Sequence, residues 1–182
     1  MTMPETFFDK MRGATKSPPR VSAMEILWSW IGAFLGIAAV GIMNDRLLGG
    51  TAFVMIIGSF GASAVLIYGA IKSPLAQPRN LLGGHVLSAL VGVACYQAIA
   101  PHLWLAGALA VATAIALMHA TKTLHPPGGA TALIAVIGGA KVHALGYLYA
   151  IVPAGAGALT MLLIALIVNN APSSRRYPEF WF

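Results

Sequence analysis

Residues 122–140 read Lys122-Thr123-Leu124-His125-Pro126-Pro127-Gly128-Gly129-Ala130-Thr131-Ala132-Leu133-Ile134-Ala135-Val136-Ile137-Gly138-Gly139-Ala140. The 12 apolar or small residues from Gly129 to Ala140 reach about 18 Å as a helix, against a hydrocarbon layer about 30 Å thick. They cannot cross a bilayer alone. Two consecutive prolines favour extended backbone before them and a helix start just after them, because proline fixes its own φ and pushes the preceding residue out of the helical region. Either residues 122–128 enter the membrane extended or the whole stretch is re-entrant. Both readings predict a half-helix whose N-terminus lies inside the bilayer.

Composition establishes the bilayer. Of 182 residues, 58% are apolar and 9% charged, and the mean hydropathy is +0.80. A soluble domain carries about 25% charged residues, so this chain cannot cover a soluble surface. Stretches free of Asp, Glu, Lys and Arg run 26–44, 47–71, 80–121, 123–140 and 142–174. The third is cut by Pro101-His102, which gives six apolar segments at about 26–43, 51–71, 81–99, 103–120, 127–140 and 144–168. None alternates with period two, so an all-α membrane bundle is expected rather than a barrel. Residues 1–24 read as a basic interfacial arm, 25–170 as the transmembrane domain and 171–182 as a cytoplasmic aromatic tail, with no cleaved signal peptide and no room for a separate soluble domain.

The net charge of +6 reports topology rather than nucleic acid. With the N-terminus cytoplasmic, Lys10, Arg12, Lys16, Arg20, Lys72, Arg79, Lys122, Arg175 and Arg176 fall inside and only Arg46 and Lys141 outside, the positive-inside bias of short loops. A multi-pass protein of the cell inner membrane with both termini cytoplasmic is expected. Glu5, Asp9, Glu25, Asp45 and Glu179 all lie in arms, loops or segment ends. Cation carriers and proton pumps usually hold a carboxylate within a span, so the neutral polar interior favours an anion or a neutral solute. The lone Cys95 excludes an intramolecular disulfide and a cysteine-rich metal site. Neither a catalytic set nor a cofactor is expected: no hydroxyl, base and acid lie together, and His119 with His125 lacks metal-ligand spacing.

Sliding the sequence by 68 residues sets Gly61-Ala62-Ser63-Ala64-Val65-Leu66-Ile67 against Gly129-Ala130-Thr131-Ala132-Leu133-Ile134-Ala135. Each copy lies in the second of three apolar segments, so the halves form two inverted three-segment repeats, with the second and fifth segments interrupted or re-entrant. Paired interrupted segments are a pointer to a transporter's substrate site. Packing of small residues explains the same match without function. On the transport reading His125, Thr131, Ser59, Ser63, Gly61 and the N–H groups of Gly128 and Gly129 form a central anion site at two helix starts. Arg79, Lys122, Gln77 and Asn80 then form a cytoplasmic vestibule, with His85 one to two turns inside. Arg79 opens a helix against the dipole, so it needs an anion or a carbonyl at another helix end. His102 and His143 read as solvated loop residues, and Trp28, Trp30 and Trp104 as interface anchors.

These residues resemble the integral-membrane HPP family. The likeness rests on His125-Pro126-Pro127 together with Gly58-Ser59-Phe60-Gly61-Ala62-Ser63, Ser73-Pro74-Leu75-Ala76-Gln77-Pro78-Arg79-Asn80, Gly83-Gly84-His85, Met118-His119 and Tyr177-Pro178-Glu179-Phe180-Trp181. The resemblance implies a small multi-pass membrane protein with four spans, which re-entrant second and fifth segments would reconcile with the six segments here. It also implies nitrite transport, as described for plastid and cyanobacterial relatives. The expected function is a transporter or channel for a small monovalent inorganic anion, nitrite first, in a homo-oligomer. The competing readings are a non-transporting sensor or assembly subunit, and an enzyme or metal carrier built on His85, His119 and His125.

Overall fold

The computed structural model describes residues 6–12, 15–47 and 55–182, and among them every regular element is helical. The chain forms α1 (Ala23–Leu47), α2 (Ser59–Ala64) continued by a wider turn over Val65–Gly69, α3 (Pro78–Ile99), α4 (Leu103–Ala120), α5 (Pro126–Ile137), α6 (Gly139–Leu145) and α7 (Ala156–Val168). Four stretches are long and apolar enough to cross a membrane: Ala23–Arg46, Pro78–Ile99, Leu103–Ala120 and Gly139–Val168. The second and fifth apolar segments instead give the short helices Ser59–Gly69 and Pro126–Ile137. Residues 51–54, where the second segment was expected to begin, lie outside the described residues; Met55, Ile56 and Ile57 have no regular structure.

Local chemistry sets these boundaries. Pro126 and Pro127 occupy the first turn of α5, not the position before it as expected, because a proline's missing N–H costs nothing there. His125 precedes them in extended backbone, φ −139° and ψ 104°. α5 ends where Gly139 turns at φ +78°, a conformation that suits glycine. Val152, at φ −131° and ψ 116°, interrupts the fourth long stretch, as expected of a residue before proline.

α3 is the central column, packed against both α4 and α5. The approach to α5 is close because glycines line it: a Cβ on Gly92 would lie 2.5 Å from the Ala132 carbonyl oxygen, and one on Gly84 would lie 2.5 Å from the His125 Cβ. Gly92→Val is therefore expected to force the two backbones apart, at a cost of about 1–3 kcal/mol or more. Thermal unfolding in detergent should show a lower midpoint, and an unchanged midpoint would contradict this packing.

One core joins α1, α2 and α7 around Phe60, Tyr68, Met161 and Ala165, and a second joins α3, α4 and α5 around Ala110, Ala114, Met118 and Ala132. Trp30, Phe34, Val65 and Ile167 are exposed on the outside, as suits a surface whose solvent is hydrocarbon. Arg175, after α7, bonds to Glu25 at the start of α1, so both ends of the described bundle meet on one side.

Candidate functional site

Five polar side chains meet between α2, α3 and α5, each no more than 1% exposed. Ser59 and Ser63 are one turn apart on α2, so both hydroxyls lie on the same face. His85 comes from α3, Thr131 from α5, and His125 from the residue that caps α5. Ser63 Oγ lies 2.7 Å from His85 Nε2 and 2.9 Å from His125 Nε2. His85 Nδ1 lies 2.7 Å from Thr131 Oγ1, which is 2.9 Å from Ser59 Oγ. His125 Nδ1 donates to the Leu75 carbonyl at 2.8 Å. Among the described residues no charged side chain bonds to this cluster, and the Phe60 ring stands edge-on to His85 at a centroid distance of 5.2 Å. Ser63 and Thr131, the pair related by the 68-residue offset, bond to opposite nitrogens of one imidazole.

The expected site divides accordingly. The cluster brings together Ser59, Ser63, His85, His125 and Thr131. Gly128 packs against Ser88 and Met118, and its N–H already donates to the His125 carbonyl at 2.7 Å. Pro126 and Pro127 have no N–H to offer, so the start of α5 presents fewer backbone donors than the sequence suggested. Gly129 lines an outer recess between α4 and α5 together with Val111, Ile115 and Leu133. Gly61 is exposed on another outer face, and its N–H donates to the Gly58 carbonyl.

The vestibule residues are mostly committed to other partners. Arg79 donates to the Thr121 carbonyl at 2.7 Å, so the cation is answered by a helix end. Asn80 donates to the Leu124 carbonyl at 2.8 Å, fixing the strand of chain that leads to His125. Gln77 is fully buried: its amide donates to the Ile71 and Ser73 carbonyls and its carbonyl accepts from the Glu179 N–H. Lys122 is exposed at φ +56°. His102 is exposed, whereas His143 sits in α6, stacked on Tyr96 at 3.7 Å and bonded to the Val136 carbonyl, rather than in a solvated loop. A helical, half-buried position was not legible there because Gly138-Gly139 reads as a break.

Sequence reasoning missed what holds the cluster's floor. Leu75 belongs to the short turn Pro74–Ala76, and Tyr177 of the tail donates to the Ala76 carbonyl at 2.7 Å. Burial pushes the Tyr177 phenol up from its ordinary value, which keeps it a donor. Arg175, counted among the cytoplasmic topology charges, has its side chain 1% exposed and bonded to Glu25. A tail folded back on a loop carries no periodic signal in sequence.

Among the described residues, four apolar helical stretches of spanning length, two short helices and a buried uncharged polar cluster define a multi-pass helical membrane protein. The profile described as HPP, transmembrane region, matches residues 18–178. The chain belongs to that HPP transmembrane family. A Dictyostelium discoideum protein named only as a transmembrane protein is 49% identical over 179 residues, covering 97% of this chain and 57% of its own length. A second from the same organism, named likewise, is 46% identical over 173 residues, covering 93% and 60%. The chain thus spans under two thirds of the length of these curated relatives. No solved structure matches it.

Proposed function

We propose that the chain is a transporter or channel for a small monovalent inorganic anion, nitrite foremost, in the cell inner membrane with both termini cytoplasmic. The observation that carries the reading is the buried cluster of hydroxyls and imidazoles, free of carboxylates, between the N-terminal halves of two short helices. Helix starts carry partial positive charge, and neutral donors there suit an anion better than a cation. The antiparallel overlap of α2 and α5 supports the inverted repeat: Ser59, first in α2, meets Thr131 on the second turn of α5, and Ser63, on the second turn of α2, meets His125 at the start of α5. Their lengths, 6 plus 5 and 12 residues, support two re-entrant half-helices. Ser59, Ser63, Thr131 and His125 supply the anion's contacts when their present partners release them, Arg79 and Lys122 draw it from the cytoplasm, and a homo-oligomer is the working assembly.

The purified protein's unfolding midpoint tests binding. A ligand of the folded state at a hundred times its dissociation constant adds about 2.7 kcal/mol, so nitrite or nitrate should raise the midpoint where sulfate does not. No response to any monovalent anion would count against the reading. It would favour the alternative of a non-transporting sensor or assembly subunit, for which one observation speaks: among the described residues every buried side-chain nitrogen and oxygen already has a partner.

A further inference from the structure

We infer that Thr131, His85, Ser63 and His125 form an oriented proton relay through the middle of the bundle, with His85 as the group that carries the excess proton. The direction of every bond follows from one end. The Leu75 carbonyl has no proton, so the 2.8 Å contact makes His125 Nδ1 the donor. In a neutral imidazole the other nitrogen then accepts, and Ser63 spends its only proton on His125 Nε2 at 2.9 Å. Ser63 must accept from His85 Nε2–H at 2.7 Å. That leaves His85 Nδ1 bare, and Thr131 donates to it at 2.7 Å. Thr131 Oγ1 also lies 2.9 Å from Ser59 Oγ, a contact in which Thr131 is the donor, so its single proton turns there or to the Pro127 carbonyl only when it leaves His85. From Thr131 to Leu75 all donors point the same way.

The cluster also has partners ready for a second protonation state. If His85 holds a proton on both nitrogens, Nδ1–H donates to Thr131, and the Thr131 hydroxyl turns to the Pro127 carbonyl 3.2 Å away. Ser63 accepts Nε2–H in both states. One hydroxyl rotation therefore solvates an imidazolium in the core, where the Phe60 ring and the neutral His125 ring also face it. Tyr149, which donates to the Thr131 carbonyl at 3.2 Å, holds the backbone on that side.

Transfer balances proton by proton. A proton arriving at Thr131 Oγ1 releases the Thr131 hydroxyl proton to His85 Nδ1. The imidazolium so formed gives Nε2–H to Ser63, which gives its own proton to His125 Nε2. His125 then sheds Nδ1–H toward solvent past the half-buried Leu75. Each group breaks one O–H or N–H bond and makes one, and one proton has moved. Turning of the two rings and two hydroxyls resets the chain. The relay does not depend on the anion reading, although a proton moving with an anion would cancel its charge.

The test is lumenal acidification of liposomes holding the pure chain, read by an internal pH dye. It is driven by an inside-negative potassium potential or by an inward nitrate gradient, nitrate being the anion that does not itself carry protons across lipid. Wild type should acidify the lumen faster than empty liposomes under at least one drive. Thr131→Val and Ser63→Ala should slow it at least about tenfold. Thr131→Ser should restore it, and Ser88→Ala, whose hydroxyl hydrogen-bonds only to the Met118 sulfur among the described residues, should match wild type. A wild type no faster than empty liposomes under both drives would overturn the relay, as would folded Thr131→Val and Ser63→Ala conducting normally or a Thr131→Ser that fails to recover. Nitrate uptake without acidification would sink the relay and leave the anion reading standing; acidification indifferent to nitrate would do the reverse.

Discussion

His125→Ala is expected to cut nitrite uptake into liposomes by about a hundredfold, the lower end of what a positioned proton-carrying side chain contributes. His125 is fully buried and joins three things: the start of α5, Ser63 on α2 and the Leu75 carbonyl. Alanine leaves the Leu75 carbonyl and the Ser63 hydroxyl without this partner, and an unpaired buried group costs about 1–3 kcal/mol. Some loss of stability is therefore expected alongside the loss of uptake. His125→Gln separates the two, since an amide offers a donor and an acceptor but does not pass a proton through its ring. Its melting midpoint should approach wild type while uptake stays low. A His125→Ala protein that takes up nitrite at the wild-type rate would remove the cluster from the pathway.

Arg175→Met should have the largest effect on folding, about 3–5 kcal/mol, the usual result of breaking a buried ion pair from one side. The Arg175 side chain is 1% exposed, against 29% for Glu25. It donates to both Glu25 carboxylate oxygens at 2.6 and 3.0 Å, to Asn169 Oδ1 at 3.0 Å, to Ser29 Oγ at 2.8 Å and to the Tyr68 carbonyl at 3.2 Å. One guanidinium thus ties α1, α2 and the end of α7 to the tail. Removing it strands the Glu25 carboxylate, so Glu25→Leu combined with Arg175→Met should unfold later than Arg175→Met alone. Thermal unfolding in detergent orders the three proteins; equal midpoints for wild type and Arg175→Met would show that the clamp contributes nothing.

The parts of this fold that sequence revealed were those written in local chemistry. Two prolines before 12 apolar residues are enough to fix a short helix, and the structure begins α5 at Pro126. The offset pairing Ser63 with Thr131 found two of the five cluster residues, because both copies sit at the same position in a repeated string. Arg79 at a helix start required a counter-partner, and one of the two kinds foreseen, a carbonyl at a helix end, is what it has. Loop amides beside an arginine suggest a mouth with Gln77 and Asn80 as donors to an anion, yet their partners are backbone carbonyls of neighbouring turns. At Gly128 the missing side chain permits close contact with Ser88 and Met118, a reason for glycine that the sequence does not display. The Arg175–Glu25 clamp joins residues 150 apart, and no spacing rule reaches that far.

The claim that the hydroxyl–imidazole cluster is a path for a small anion is tested most directly by uptake of labelled nitrite into liposomes of the pure chain, with His125→Ala alongside. The account predicts accumulation above empty liposomes for wild type, and a rate near that of empty liposomes for the variant. Wild-type liposomes that take up nitrite, nitrate and other small anions no faster than empty ones would contradict it.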